Sequence, residues 1–374
     1  MNKLVSIMLV GASLTAQAQS TKEIMYVGTY SLRGSEGIYV YEFDRKAGSM
    51  KPIQSVANAK SPSFLALHSS GHYLYSANEA AAKTENGISA YAIDRATGKL
   101  SFLNGQPSLG TGSCHVSIDQ TGKTAFVSNY GGGNLAVLPI KADGTLAPAT
   151  DSVQDTGSGP NAKRQEKAHV HSSTLAPDNR FLYVADLGTD KLNIFDIDVK
   201  ASKVKPASTP YATVKPGSGP RHFTFHPNGK YAYLVEELIS SVAVFSRNAK
   251  TGALTLLEDN VKTLPANFTS ENTSADIHID PSGKFLYQSN RGHNSLAIFA
   301  IGNDGKLTKV GDQSTEGKTP RNFLIDPKGE FVFVANQDSD NITIFKRDQK
   351  TGKLTYTGQS VNVPAPVCVI MASR

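Results

Sequence analysis

Tryptophan is absent from this sequence of 374 residues, cysteine occurs only twice, and no long apolar run follows the first 18 residues. The lack of tryptophan argues against WD-type repeats, whose signature contains that residue. No Gly-x-Ser-x-Gly motif is present, so the sharp turn that exposes a nucleophilic serine is not expected. The net charge of +6 is spread along the chain. Nucleic acid is therefore not an expected partner, whereas anionic small molecules are compatible with this charge.

The first 18 residues have the pattern of a secretory signal peptide. Lys3 precedes an apolar run at residues 4–14, and residues 16–18 (Ala-Gln-Ala) form a small-x-small cleavage signal. The run is too short to span a bilayer, and no cysteine follows the cleavage position for lipid attachment. We expect a mature chain of residues 19–374 that is exported, to the periplasm in a Gram-negative source, with no membrane contact after cleavage.

Six copies of one strand–turn–strand pattern occupy most of the remaining chain. They lie at residues 62–78, 113–129, 170–186, 220–236, 275–290 and 320–336, and their turns are 46 to 57 residues apart. This period matches one four-stranded blade of a β-propeller. The sequence therefore predicts an all-β fold in which residues 19–374 form a single β-propeller domain.

The two ends of the chain supply the missing copy. Residues 365–371 resemble the first strand of a blade, and residues 24–30 resemble the second strand. Pairing the two would complete a seventh blade and remove the open sheet edges. We predict a seven-bladed β-propeller that is closed by pairing of the N- and C-terminal strands in one blade.

The two cysteines fall on inner strands of different blades. Counting from the copy at 62–78 as blade one, Cys114 lies in blade two and Cys368 in blade seven, at offsets that point to opposite faces. A disulfide requires α-carbons within about 7 Å of each other. Packed, unpaired thiols are expected.

The copies agree along their strands but diverge at one end of the ring. Because each copy is a hairpin, the start of its first strand and the residue after its second strand lie at the same mouth. The strand starts are Ser63, Cys114, His171, Arg221, Ala275 and Arg321, and the residues after the strand ends are Glu79, Tyr130, Leu187, Glu237, Arg291 and Gln337. Divergence confined to one mouth of a symmetric scaffold predicts a ligand site.

The candidate site residues are drawn from these positions and from the neighbouring His169 and His222. The candidate catalytic residues are His171, Arg221, Glu237 and Arg291; the candidate substrate-binding residues are His169, His222, Arg321, Glu79 and Gln337. A guanidinium holds a carboxylate, a phosphate or an oxyanion, and Glu237 is the candidate general base. Two questions stay open: whether apolar neighbours raise or arginines lower the pKa of Glu237, and whether Glu236 or Glu237 faces the channel.

His169 and His171 form an i, i+2 pair, which places both imidazoles on one side of an extended segment. Such a pair could begin a metal site, but no third ligand follows at an informative spacing. We therefore expect no metal and no cofactor, and we expect His169 to orient its neighbour or the adjoining loop.

The longest polar stretch, residues 157–167, lies just before His169. It has two interpretations. It is either a flap whose Lys163, Arg164 and Lys167 meet an anionic substrate, or an exposed mobile loop.

Several motifs resemble those of a known family. They are residues 25–30 (Met-Tyr-Val-Gly-Thr-Tyr), 128–133 (Ser-Asn-Tyr-Gly-Gly-Gly), 169–171 (His-Val-His), 219–222 (Gly-Pro-Arg-His), 237–242 (Glu-Leu-Ile-Ser-Ser-Val), 265–268 (Pro-Ala-Asn-Phe) with 275–278 (Ala-Asp-Ile-His), and 289–291 (Ser-Asn-Arg). With them the chain resembles the lactonase family of seven-bladed propellers, which includes the propeller-type 6-phosphogluconolactonases and is similar to fungal carboxymuconate-lactonizing enzymes.

The resemblance implies a lactone-handling pocket at one end of the channel and no obligatory metal. In the muconate branch the acting residues would fall on His171, Arg221, Arg291 and Glu237. The chain departs from the family at Glu236, where Asn is common. It also carries an export signal, whereas 6-phosphogluconolactone arises in the cytosol, and this favours an unphosphorylated sugar lactone.

The leading hypothesis is hydrolysis of a sugar lactone, either 6-phospho-D-glucono-1,5-lactone or an unphosphorylated aldonolactone, to the open-chain acid. Glu237, assisted by His171, would activate water, while Arg221 and Arg291 stabilise the oxyanion. The partner is then a small-molecule lactone or sugar acid; no oligomeric state is predicted. Two alternatives remain: a non-catalytic propeller that binds a carbohydrate or a protein, and a lactonizing cycloisomerase.

Overall fold

The computed structural model describes residues 22–372, which form seven four-stranded antiparallel sheets. The first fourteen strands are β1 (Lys22–Thr29), β2 (Ile38–Asp44), β3 (Ser49–Val56), β4 (Pro62–Leu67), β5 (Tyr73–Asn78), β6 (Ile88–Ile93), β7 (Leu100–Gln106), β8 (Ser113–Ile118), β9 (Thr124–Asn129), β10 (Asn134–Pro139), β11 (Asp151–Gln154), β12 (Val170–Leu175), β13 (Phe181–Asp186) and β14 (Lys191–Asp198). The other fourteen are β15 (Lys203–Thr213), β16 (Pro220–Phe225), β17 (Tyr231–Glu236), β18 (Ser241–Arg247), β19 (Leu254–Lys262), β20 (Thr273–Ile279), β21 (Phe285–Arg291), β22 (Ser295–Ile301), β23 (Leu307–Ser314), β24 (Pro320–Ile325), β25 (Phe331–Asn336), β26 (Asn341–Arg347), β27 (Leu354–Asn362) and β28 (Pro366–Ala372).

The sheets are the blades of a seven-bladed propeller, as predicted. Blades one to six consist of consecutive groups of four strands, from β4–β7 to β24–β27. Blade seven has the strand order β28-β1-β2-β3, and its two terminal strands pair antiparallel from Ile24 opposite Ala372 to Thr29 opposite Pro366. The predicted closure of the ring is therefore confirmed. The expected signal peptide, residues 1–18, lies outside the described residues.

Apolar packing between adjacent blades forms the core. The second strands are the most deeply buried, and every residue of β9, β13 and β25 is inaccessible or nearly so, whereas the outer strands alternate between exposed and partly buried residues. Between blades three and four, for example, Tyr183 stacks on Phe223 with ring centroids 5.4 Å apart. Removal of this apolar surface from water is the main force that holds neighbouring blades together.

Buried tyrosine hydroxyls also tie one blade to the next. At five of the seven joints a tyrosine in the second strand donates to a glycine carbonyl in the outer turn of the following blade. The pairs are Tyr26 with Gly98, Tyr75 with Gly144, Tyr183 with Gly252, Tyr233 with Gly305, and Tyr287 with Gly352. Burial of these hydroxyls costs little because each has a partner.

Every inner strand contains a β-bulge near the mouth. The residues left without a direct partner on the second strand are Ser63, Cys114, His171, Arg221 with His222, Ala275 with Asp276, Arg321, and Val367. A bulge places two residues opposite one and re-aims their side chains. The variable strand starts identified from the sequence are therefore bulge positions.

Helical structure in residues 22–372 consists of two 3₁₀ turns, Glu237–Ile239 and Gln337–Ser339. No helix within this part of the chain has the length and apolar character that a membrane crossing requires. Cys114 in β8 and Cys368 in β28 are both buried, and neither forms a disulfide.

We expect Arg347→Met to lower the free energy of unfolding by about 3 kcal/mol, because it leaves a buried carboxylate without its cation. Arg347 Nη2 lies 2.7 Å from Asp280 Oδ2, and each side chain is 1% exposed. The measurement is denaturant unfolding. The control is Lys60→Met, which removes an exposed ion pair with Glu85 and should leave the midpoint unchanged. Equal effects from both substitutions would contradict this expectation.

Candidate active site

A single carboxylate lies among three guanidinium groups at the mouth of the channel. Glu237 Oε2 is 3.0 Å from Arg221 Nε and 3.2 Å from Arg291 Nη2, and Glu237 Oε1 is 2.7 Å from Arg164 Nη2. Only 2% of Glu237 and 2% of Arg221 is exposed. The structure thus brings together three of the four predicted catalytic residues.

Backbone contacts fix these side chains in place. Glu237 begins a 3₁₀ turn, and its N–H donates to Gly219 O at 2.8 Å. Arg221 projects from the bulge of β16, and its Nη1 donates to Ala275 O. Arg291 ends β21, and its Nη2 donates to Ser274 O at 2.8 Å. Carbonyl groups of blade five therefore orient both guanidiniums before any ligand binds.

The neighbouring carboxylate points away from the cluster. Glu236 is fully buried, and its Oε2 accepts from Ser241 Oγ at 2.6 Å within blade four. Burial raises the pKa of Glu236 to about 7. Glu237 is therefore the carboxylate that faces the guanidiniums, which answers the question that the sequence left open.

The arginines decide the ionisation of Glu237. Burial by itself would raise its pKa, but Arg291, Arg221 and Arg164 lower the pKa of Glu237 to about 2. A carboxylate with so low a pKa is fully ionised at neutral pH and is a weak proton acceptor. Glu237 is therefore poorly suited to act as the general base expected from the sequence. It is well suited to hold the guanidiniums in position.

A fourth guanidinium, that of Arg321, completes the mouth. It lies 5.2 Å from the ring centroid of Tyr30 and forms no ion pair with any residue in the described range. The Tyr30 hydroxyl donates to Glu79 Oε1 at 3.2 Å, and Ser63 Oγ donates to Glu79 Oε2 at 2.6 Å. Arg321, Glu79 and Ser63 line one small cavity with Arg221.

Positive charge is in excess at this mouth. Four arginines, Arg164, Arg221, Arg291 and Arg321, face two carboxylates, Glu237 and Glu79. Burial, Arg291 and Arg321 lower the pKa of Arg221 to about 9, and its guanidinium remains charged at neutral pH. The arrangement fits a ligand that carries or develops negative charge.

His171, the fourth predicted catalytic residue, lies beside this cluster. Its ring is 5.5 Å from that of Tyr130 and 5.5 Å from that of His222, and its Nδ1 is 3.9 Å from Cys114 Sγ. Burial, Arg221 and His222 hold the pKa of His171 well below its usual range. The imidazole is therefore neutral at pH 7.

His169 has a different environment. It stacks on Tyr130 with ring centroids 4.4 Å apart, and its Nε2 lies 3.0 Å from Glu166 Oε1. Its Nδ1 is 3.0 Å from the carbonyl oxygen of Tyr130. These contacts suit the orienting role expected for His169, because they fix Tyr130 between the two histidines.

His222 forms a hydrogen bond to a carboxylate that the sequence did not indicate. Its Nδ1 lies 2.7 Å from Asp276 Oδ1, and both residues occupy bulges, His222 in β16 and Asp276 in β20. Burial and Arg221 lower the pKa of His222 to about 4. His222 lines the same cavity as Arg221 and Arg321.

The polar loop 157–167 contributes one residue to the cluster. Arg164 binds Glu237, and its Nη2 also lies 3.3 Å from the Tyr130 hydroxyl. Lys167 Nζ instead donates to Gly131 O at 2.8 Å, and Lys163 is exposed. Buried Gln165 anchors the loop by donating to Leu187 O at 2.9 Å. The flap interpretation therefore fits Arg164 alone.

Gln337 is not brought into the cluster. Its Nε2 donates to the adjacent Asp338 Oδ1 at 3.1 Å, and it makes none of the contacts that join the arginines and carboxylates. The 3₁₀ turn Gln337–Ser339 has nearly the same geometry as the turn Glu237–Ile239, so the side-chain bond to Asp338 is what distinguishes Gln337 from Glu237. Within residues 22–372, no group of three or more His, Cys, Asp or Glu side chains is arranged to hold a metal ion.

We expect Glu237→Gln to lower the melting temperature at pH 7, because Arg164, Arg221 and Arg291 would then lose the carboxylate that they share. Inorganic phosphate should raise the melting temperature more in this variant than in the wild type. The folded-state pKa of Glu237 is lowered from 4.5 to about 2, so its stabilising contribution is present above pH 4.5 and is lost as the pH falls towards 2. The difference between the two proteins should therefore narrow across that range.

Circular dichroism during heating measures this effect. Exposed Glu316, which forms no ion pair with a described residue, supplies the matched control Glu316→Gln. If Glu237→Gln melted like the wild type and showed no added response to phosphate, the account of the charge cluster would be wrong.

Comparisons with known proteins agree with this architecture. The family model described as "Lactonase, 7-bladed beta-propeller" matches residues 24–371. A protein of Bacillus subtilis (strain 168) named 6-phosphogluconolactonase is 37% identical over 350 residues, which cover 93% of this chain and 98% of that protein. A protein of Formosa agariphila with the same name is 40% identical, with coverage of 91% and 96%.

A solved structure is similarly close. The periplasmic gluconolactonase of Pseudomonas aeruginosa superposes with a TM-score of 0.88 at 34% sequence identity, covering 94% of this chain and 99% of that one. Sequence and structure therefore agree over nearly the whole described range. The chain belongs to the lactonase family of seven-bladed β-propellers.

Proposed function

We propose that this protein hydrolyses an unphosphorylated sugar lactone, an aldono-1,5-lactone, to the open-chain acid. The observation that carries the proposal is the buried set of arginines around Glu237, which leaves an excess of positive charge at the mouth. Membership of the lactonase family and the names of its relatives support lactone hydrolysis as the reaction class.

The arginines act on the charge that develops during ester cleavage. When water adds to the lactone carbonyl, the carbonyl oxygen becomes an oxyanion, and its proposed donors are Arg221, which lines the cavity, and Arg291, which contacts the same Glu237 carboxylate. Oriented donors in a site shielded from water stabilise such an oxyanion without having to reorganise, and each is worth about 10²–10³ in rate. In this proposal Glu237 holds both guanidiniums in that orientation.

The attacking water must also lose a proton. Glu237 is a weak acceptor because three arginines hold its carboxylate ionised. The neutral imidazoles of His171 and His222 lie 5.5 Å apart, ring centroid to ring centroid, at the same mouth. An imidazole is therefore the better candidate for the base, and His171 keeps the assisting role proposed from the sequence.

The substrate class follows from charge and location together. Arg321 forms no ion pair with a described residue, so it is free to bind the carboxylate that hydrolysis creates. The Bacillus and Formosa relatives are named for a phosphorylated lactone, and the Pseudomonas neighbour is named a periplasmic gluconolactonase. The leader-like residues 1–18 favour the unphosphorylated substrate, because an exported enzyme meets lactones outside the cytosol.

Assay of a lactone panel tests the proposal. We expect the protein to hydrolyse D-glucono-1,5-lactone above the spontaneous rate, measured by proton release. Arg221→Met and Arg291→Met should each reduce kcat/KM by about 10²–10³. The control Arg180→Met removes an exposed arginine outside the cluster and should retain full activity.

The other outcomes separate the competing functions. If 6-phospho-D-glucono-1,5-lactone were hydrolysed faster than D-glucono-1,5-lactone, the proposed substrate would be wrong and the proposed reaction would stand. Binding of sugar acids without hydrolysis of any lactone would indicate a carbohydrate-binding propeller, and lactonization of an unsaturated diacid would indicate a cycloisomerase. Full activity in both arginine variants would reject the assignment of these residues.

We further propose that residues 1–18 direct export to the periplasm. Expression of the full chain in a Gram-negative host should yield a periplasmic protein whose mature N-terminus lies near Gln19, as determined by mass spectrometry. Deletion of residues 2–18 should leave the protein in the cytosol with the same specific activity. A full-length, uncleaved protein in the cytosol would contradict this proposal.

A further inference from the structure

The buried groups that the arginine mechanism leaves unused are concentrated just below the mouth. Asp276 lies at their centre with 2% of its surface exposed. Its Oδ1 contacts His222 Nδ1 at 2.7 Å, and its Oδ2 contacts His278 Nε2 at 2.9 Å and Asn322 Nδ2 at 2.6 Å. The backbone N–H of Phe323 also donates to Oδ2 at 3.2 Å. Four donors therefore hold one carboxylate in a single orientation.

The contact with Asp276 determines which ring nitrogen of His222 carries the proton. Asp276 is ionised, because His278 and His222 hold its pKa well below the usual range although burial would raise it. An ionised carboxylate only accepts hydrogen bonds, so Nδ1 of His222 must donate. In the neutral ring Nε2 then carries the lone pair, and it makes no hydrogen bond to a residue of the described chain.

Three buried imidazoles, those of His222, His171 and His115, lie next to one another and differ in their partners. His222 alone among them has a carboxylate on Nδ1. The corresponding atom of His171 lies 3.9 Å from Cys114 Sγ, and that of His115 lies 3.4 Å from the backbone N of Ser173. A carboxylate that fixes the tautomer and stabilises the imidazolium is the usual support of a histidine base. His222 therefore has the support that the other two lack.

The bulge of β16 places His222 next to Arg221, the proposed donor to the carbonyl oxygen of the substrate. Arg221 and His222 are consecutive, and together they oppose one residue of β17. In a regular strand consecutive side chains point to opposite faces, but here both line the same cavity. If the carbonyl oxygen of a substrate lay near Arg221, His222 would therefore lie close to the carbonyl carbon. There it could accept a proton from the attacking water.

From this geometry we propose that Asp276 and His222 form the acid–base dyad of the lactonase reaction, with His222 as the catalytic base and Asp276 as its positioning residue. The proposal rests on the function proposed above. His222 Nε2 takes a proton from water as the water oxygen bonds to the carbonyl carbon, and the carbonyl π electrons move to oxygen. Collapse of this intermediate breaks the ring C–O bond, and the leaving ring oxygen takes the proton back from His222. The carboxylic acid product then ionises and releases one proton to solvent.

The groups around His222 determine its pH dependence. Arg221 on its own strand lowers its pKa, Asp276 on β20 raises it, and His278 on β20 lowers it, with burial as the largest lowering cause. His171 on β12 and His115 on β8 face the ring from the other side. Because the pKa of His222 is about 4, kcat/KM should be flat near neutral pH and fall as the pH drops through about 4.

Two substitutions test the dyad on the full mature protein with D-glucono-1,5-lactone. His222→Asn keeps a donor for Asp276 and removes the base, so kcat should fall by about 10² or more with little change in KM. Asp276→Asn should lower kcat at least about tenfold and move the acid limb of the kcat/KM profile to lower pH, because the imidazolium loses its carboxylate. His72→Gln, the control, removes an exposed imidazole in the turn between β4 and β5, away from the mouth, and should preserve both rate and profile.

The readouts distinguish a catalytic role from a structural one. Melting temperatures identify variants that fail to fold, and ¹⁵N NMR of the wild type should show His222 protonated on Nδ1. Three results would overturn the dyad alone: an active His222→Asn variant, a proton on Nε2, or an Asp276→Asn variant that is slower but has an unmoved acid limb. A wild-type protein that hydrolyses no lactone would overturn the proposed function and the dyad with it.

Discussion

Convergence of seven inner strands on one axis is the constraint on which this site depends. Each strand brings its first residues to a common mouth, and a bulge there turns those residues towards the channel. Four guanidiniums, two carboxylates and several imidazoles therefore meet in a small volume. The ring scaffold needs no large insertion for this, because changing the side chains at equivalent bulges is sufficient.

Because the site is buried, the balance of positive and negative charge within it strongly affects the pKa values of its side chains. Arg221 and Glu237 are each 2% exposed, and each offsets part of the cost of burying the charge of the other. Glu237 offsets part of the positive charge and orients the arginines, but it does not neutralise all of them. The same contacts lower its pKa to about 2. The contacts with the arginines therefore explain both why Glu237 orients the guanidiniums and why it is a weak base.

Much of this organisation could be read from the sequence. The repeat predicted the number of blades and the closure of the ring, because turn and strand residues recur at blade spacing. Comparing equivalent positions also selected His171, Arg221, Glu237 and Arg291, which the structure places at one mouth. This succeeds because side chains that pack between blades must be similar in every copy, whereas those at the mouth are free to differ.

The failures of sequence reasoning have equally physical causes. Tyr30 follows the second strand of blade seven, whose hairpin is split between the chain ends, so counting within internal copies did not reach it. Asp276 was missed because regular alternation allows one of two consecutive residues to face the channel, and the bulge admits both. Gln337 was included because its position is equivalent to that of Glu237, but its neutral side chain bonds to the adjacent Asp338 and not to the arginines.

An excess of positive charge in the site suits a reaction whose substrate is neutral and whose intermediate is an anion. The unreacted aldonolactone of the proposed reaction has no charge, and its contact with Arg221 or Arg321 would be that of a polar neutral group. The oxyanion is negative, so the same guanidiniums would bind it much more strongly in a site shielded from water. Only interactions that strengthen on the way to the transition state accelerate the reaction. A phosphorylated substrate would take up part of the excess charge in the ground state, leaving less of it for the developing oxyanion.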